Sequence, residues 1–254
     1  MRPHPVSTAG ADPSGPSPLP TVREELAPAA RRLARISLLG VLVGALVGGV
    51  LSRLAMLLLA RLNDAATGRV SDDGFVMGRF TLSGSANLLL TGAALGLLGA
   101  GFYFALRGLM VGPRWFRLLS ISLGPAVVLG SQLVHTDGVD FTLLQPAWLA
   151  IAVFVALPGV YAALLSVLAE AVIARDDRWT SRWWTVAGLL VWLPLAPVLA
   201  VLVAGRLALV GAHRVPSLRA LVGSSVVAWV ARGALTVLFV VALILLVDET
   251  RILI

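Results

Sequence analysis

Arg53 and Arg232 are the residues that most need a chemical explanation, because each stands inside a run of apolar side chains. A guanidinium at the centre of a membrane-spanning helix costs roughly 2.5 to 3.5 kcal/mol on insertion scales. Arg232 lies about ten residues into its run, or roughly 15 Å by helical rise, and Arg53 roughly 25 Å into its own. With an even number of crossings, both fall in the outer half of the bilayer and repel unless an anion lies beside them. Acids are available in two connections. One carries Asp72 and Asp73, the other His135, Asp137 and Asp140. The expectation is that Arg53 and Arg232 face the bundle interior and either pair with these acids or line an outer vestibule that binds an anionic ligand group. Glu170, near a span end, has Arg175 and Arg178 within reach.

One imidazole and two carboxylates are common ligand types, but the spacing of His135, Asp137 and Asp140 matches no metal motif. A solvated turn at Asp137-Gly138 accounts for it, and no metal site is expected. His4 and His213 have no partner in the sequence. There is no Gly-x-Ser-x-Gly. The absence of lysine removes the phosphate-cradling loop with Lys, and the absence of cysteine removes disulfides, thiolate catalysis and Cys-ligated metals. No catalytic residues and no cofactor are expected.

The elements that must position these side chains are set by composition. Hydrophobic residues make up 58% of the chain and charged residues 13%, about half the charged share of an ordinary soluble domain. The apolar residues come in runs near the ~20 residues needed to cross hydrocarbon, separated by short Arg-bearing connections. The fold class expected is an all-α polytopic integral membrane bundle of about six transmembrane helices, over 36–60, 84–106, 116–134, 144–173, 183–204 and 222–247. Residues 248–254 form a short tail. Residues 1–35 read as a disordered, Pro-rich tail, with Pro at 3, 5, 13, 16, 18, 20 and 28 and with Arg31, Arg32 and Arg35 anchoring the first span. The first apolar run starts too late and runs too long for a cleaved signal peptide.

Gly40, Gly44 and Gly48 recur at every fourth position of the first span, and Gly92 and Gly96 do so in the second. In lipid, apolar burial between helices gains little, so such stripes mark places where backbones approach and gain dispersion contacts. Spans one and two are expected to pack there, on each other or on a neighbour.

Orientation follows from arginine. With six crossings and both termini cytoplasmic, the inner side receives twelve Arg (2, 23, 31, 32, 35, 107, 114, 117, 175, 178, 182, 251) and the outer side six (61, 69, 79, 206, 214, 219). If the fifth segment, broken by Pro194 and Pro197, entered and left on one side, the tally would be fourteen to four with the C-terminus outside. The segment's length favours a full crossing, and both termini are expected inside. Tryptophans 115, 179, 183 and 184 fall at the expected inner ends of spans, where such rings favour the headgroup layer. Arg107–Arg114 and Arg206–Arg214 resemble each other as links after apolar helices, a weak hint of an inverted repeat.

Three functional classes fit. They are a small permease or channel component of the cell membrane, a structural or accessory subunit of a membrane complex, and a membrane enzyme acting on lipid-linked substrates. The basic balance serves topology and lipid contact, so nucleic acid is not an expected partner. The bilayer, a second copy or a membrane complex is.

Overall fold

The computed structural model describes residues 21–63, 68–70, 76, 81–136, 141, 143–174, 182–215 and 224–254. Among the described residues the chain is helical, with one isolated antiparallel bridge between Val70 and Val76 and no strand. Six helices are long and apolar enough to cross a membrane, and the protein is an all-α membrane bundle.

The first helix, α1 (Val22–Gly44), begins well before Ile36, which corrects the expected tail boundary. The cause is a capping box. The Thr21 hydroxyl accepts from the Glu24 backbone N–H while the Glu24 carboxylate accepts from the Thr21 N–H, satisfying two of the donors a helix start leaves open. These bonds hold the Glu24 carboxyl below its ordinary value, the Thr21 backbone contact contributing most. Pro28 sits early in the helix and removes only one internal bond. Of the three arginines expected to anchor the span, Arg31 and Arg32 are exposed, but Arg35 is buried between Ala34 and Ile36.

A π-helical stretch, Ala45–Leu51, follows α1 and leads into α2 (Ser52–Leu62). The Ser52 hydroxyl donates to the carbonyls of Gly48 and Gly49 at the end of the π-helical stretch. From Leu26 to Leu62 this composite rod holds 37 residues. At ~1.5 Å per residue it spans about 55 Å, more than the ~30 Å of hydrocarbon.

Against it runs α3 (Leu82–Leu106), capped by the Thr81 hydroxyl and ended by a 3-10 turn at Arg107–Leu109. The two are antiparallel: Gly40 meets Gly96 and Ala100, Gly44 meets Gly92 and Gly96, and Gly49 meets Leu89. A Cβ on Gly44 would lie 2.6 Å from Gly96 Cα, so backbone touches backbone along the whole stripe. A four-residue step overshoots a 3.6-residue turn, and the wider π turn pulls the third glycine back into line. In this structure the five glycines lie between α1 with its π-helical continuation and α3.

Next come α4 (Arg114–Leu133) and α5 (Ala147–Ala174), packed antiparallel with Gly130 against Val155 and Gly159 against Ser122 and Ala126. Two apolar cores show how the ends align. At the end where α1 begins, Ile36, Ala100, Tyr103, Leu165 and Ala169 are buried together beside Met110. At the other end Leu59, Ala60, Val134, Phe141, Leu144, Ala150 and Ile151 form a second core.

The last helix, α8 (Ser225–Leu253), decides the topology. Its first third reaches the α1-start end, where Arg232 Nε donates to the Leu109 carbonyl at 2.9 Å. Its far end reaches the other, where Glu249 accepts from the Thr136 N–H at 2.9 Å and Leu246 joins the second core. It therefore runs parallel to α1 and α4. The described chain starts on one face of the bundle and ends on the opposite face, which corrects the expectation of both termini on one side.

The segment between α5 and α8 must then enter and leave on the α1-start face. It consists of α6 (Arg182–Leu190), a 3-10 turn at Leu193–Leu195 and α7 (Ala196–Arg214). Gly188 packs on the Ala34 backbone, and Trp192 and Leu202 both press on the site of Gly101, so the chain returns to the same depth after the turn. The expected full fifth crossing at 183–204 is replaced by a helical hairpin. Helix α7 has the length and composition to cross, and the contacts on both sides of the turn keep it beside the α1-start end of the bundle.

Candidate functional site

At the α1-start face, three polar contacts are built from residues on different helices. Trp192 is completely buried, and its indole N–H donates to the Ser37 hydroxyl at 2.8 Å, which in turn donates to the Leu33 carbonyl at 2.7 Å. The break after α6 aims this ring inward, and Gly101 gives it room. A few ångströms along α3, Tyr103 and Arg107 lie one turn apart. Both reach across to Glu170 on α5, the Tyr103 hydroxyl and the Arg107 guanidinium each donating at 2.8 Å to the same carboxylate oxygen. Arg107 therefore neutralises Glu170; Arg175 and Arg178, the partners expected from the sequence, lie outside the described residues. Tyr161 on α5 donates to the Gly96 carbonyl, so the glycine seam itself is tied to a third helix.

Arg232 belongs to this same face. Its guanidinium stacks over Trp229 with 5.3 Å to the ring centroid while Nε holds the Leu109 carbonyl. Arg53 does not. It sits half-buried in the first turn of α2, six residues ahead of Leu59 in the second core. The two arginines thus lie at different depths, Arg232 beside the turn that ends α3 and Arg53 beyond the middle of the α1–α2 rod. The reason is the direction of α8. A helix that runs from the α1-start face places its first third there, whereas an even number of crossings would have placed it at the other end.

At that other face, Asn63 clasps the main chain ahead of α5. Its amide donates to the Leu59 carbonyl at 2.9 Å and the Gln145 carbonyl at 2.8 Å, and its oxygen accepts from the Gln145 N–H at 2.7 Å. His135 contacts the Leu133 carbonyl through Nδ1 at 2.9 Å and meets Phe141 edge-on. Asp72, Asp73, Asp137 and Asp140 lie outside the described residues. Among the described residues no group of three or more His, Asp or Glu is placed to hold a metal ion. The buried Ser85 hydroxyl has no hydrogen-bond partner among them.

These contacts tie helices together. None aligns a nucleophile with a base or converges several charges on one cavity. Sequence reasoning missed Ser37, Tyr103 and Asn63 because each acts with a partner distant in sequence. Only the four-residue spacing of Tyr103 and Arg107, one helix face presenting a donor pair to a carboxylate, was visible beforehand.

The fold and its polar ties define a polytopic α-helical membrane protein. No protein-family model, no curated protein and no solved structure matches the chain.

Proposed function

We propose that this protein is a structural or accessory component of a cell-membrane assembly, which acts through contacts with another membrane helix and not by passing a solute through its own centre. The observation that carries this reading is the separation of Arg53 from Arg232, together with the glycine seam that closes the middle of the bundle. A permease would bring polar groups to the midplane, where half-helices meet. Here the middle of the α1–α3 contact is backbone on backbone.

Orientation supports the same account. With the hairpin and a parallel α8, the arginines outside the apolar runs whose side chains are described number eight at the α1-start face (31, 32, 35, 107, 114, 117, 206, 214) against three at the other (61, 69, 251). By the positive-inside bias that face is cytoplasmic and the C-terminus is outside. Trp115, Trp183 and Trp184, all exposed, lie on the cytoplasmic side, as does Trp229, where such rings anchor in the headgroup layer.

The partner-facing surface is the outer stripe of α8. Val230, Val237 and Ile244, seven residues apart, are 66%, 63% and 62% exposed, the repeat that keeps one seam facing a second helix. The test is cysteine substitution at these three positions in the otherwise cysteine-free chain, followed by bifunctional maleimide treatment of native membranes. Discrete cross-linked species from the stripe, and none from the covered Ala242→Cys, are expected. Absence of any product, or solute flux in reconstituted vesicles that depends on Arg53, would overturn the reading.

A further inference from the structure

Arg232 stands seven residues into α8 and carries two guanidinium nitrogens beyond the one that Leu109 occupies. Among the described residues no carboxylate lies within ion-pair distance of it; its contacts are the Leu109 carbonyl and the Trp229 ring. A charge about 10 Å from the helix start by rise is not left bare in hydrocarbon. It requires an anion or a path to the headgroups.

Its geometry supplies the path. Leu109 closes the turn after α3, at the bundle end, so the bond between it and Arg232 draws the guanidinium from its helix toward the headgroup layer, as long cationic side chains do. Trp229, 66% exposed, lies on the lipid-facing surface one turn nearer the end and presents its ring beneath the charge. Arg114 and Arg117, exposed on the first turn of α4, which packs on α8, add positive charge on the same face. Arg107 adds none, because Glu170 neutralises it.

We infer that Arg232, Trp229 and the end of α3 form a lipid site for the phosphate of an anionic phospholipid. The free guanidinium edge holds the phosphate oxygens, the Leu109 carbonyl fixes the plane of the fork, and Trp229 packs along the glycerol and upper acyl region. A planar fork suits phosphate better than a point charge does. The site stands whether or not the protein has a helical partner, and it uses none of the α8 stripe residues.

The experiment is native mass spectrometry of the full chain in detergent, titrated in separate arms with phosphatidylglycerol, phosphatidylcholine and inorganic phosphate. The wild type is expected to retain one phosphatidylglycerol in preference to phosphatidylcholine. Arg232→Gln is expected to weaken that preference roughly fivefold, the effect of one basic residue at an anionic surface, with Arg232→Lys intermediate and Arg251→Gln, on the opposite face, without effect. Should Arg232→Gln fail to fold, a photoreactive residue at Val226, 64% exposed on the turn below Trp229, is expected to capture anionic lipid beyond its share of a mixed vesicle. Equal retention by wild type and Arg232→Gln, capture in proportion to abundance, or binding of inorganic phosphate without any lipid preference would overturn the assignment.

Discussion

Replacing Gly96 by alanine tests the glycine seam most directly. The new Cβ would overlap the Gly40 carbonyl oxygen and lie 2.6 Å from Gly44 Cα and 3.0 Å from Gly44 N. All three obstacles are backbone, so no side-chain rotation relieves them and the helices must part by most of an ångström. Overpacking costs ~1–3 kcal/mol, and a rigid obstacle belongs at the upper end. Against this, alanine favours a helix over glycine by ~1 kcal/mol, which leaves a net loss of about 2 kcal/mol. Gly205 and Gly211 on α7 have nothing within 4 Å of an added Cβ. At those positions only the propensity gain operates, and alanine should be neutral or stabilising by up to ~1 kcal/mol. The measurement is reversible unfolding of the three variants in mixed micelles, read by circular dichroism. A Gly96→Ala variant as stable as Gly205→Ala would refute the claim that backbone contact at the seam holds α1 against α3.

The other predictions concern the hairpin, the far face and topology. Trp192→Ala should cost about 3–5 kcal/mol, as deletion of a fully buried aromatic does, whereas Trp192→Phe should lose mainly the bond to Ser37, ~1 kcal/mol; thermal unfolding of the two side by side separates packing from hydrogen bonding. Asn63→Ala removes the three bonds among Leu59, Gln145 and the α2 end, and at about 1 kcal/mol per bond net should speed proteolysis between α4 and α5 more than elsewhere. A single cysteine at Ile254 should react with an impermeant maleimide from the side opposite one placed at Arg114. Labelling of both from the same side would restore an even number of crossings.

Much of this was legible in the sequence for a physical reason. In hydrocarbon every backbone group must be bonded within its own segment, so long apolar runs can only be helices, and 36–60, 84–106, 116–134, 144–173 and 222–247 each fall within or largely overlap a helical span of the structure. The glycine seam was legible as well, since a small residue at every fourth position has one geometric consequence. The Thr21-Val-Arg-Glu24 box was present too, but prolines counted over the whole tail outweighed a local cap that needs only four residues. Direction along the membrane normal was legible only in part: the arginine tally, fourteen to four, favoured a fifth segment that turns back, whereas the segment's length favoured a crossing. Nothing within residues 183–204 distinguishes a helix that crosses from one that turns back at Pro194. That choice was made by contacts made elsewhere, Gly188 on Ala34, Trp192 on Ser37, Arg232 on Leu109 and Glu249 on Thr136. The side of the bilayer on which Arg232 lies follows from that choice, because a helix's polar residues inherit their depth from its direction, and direction is a property of the assembled bundle.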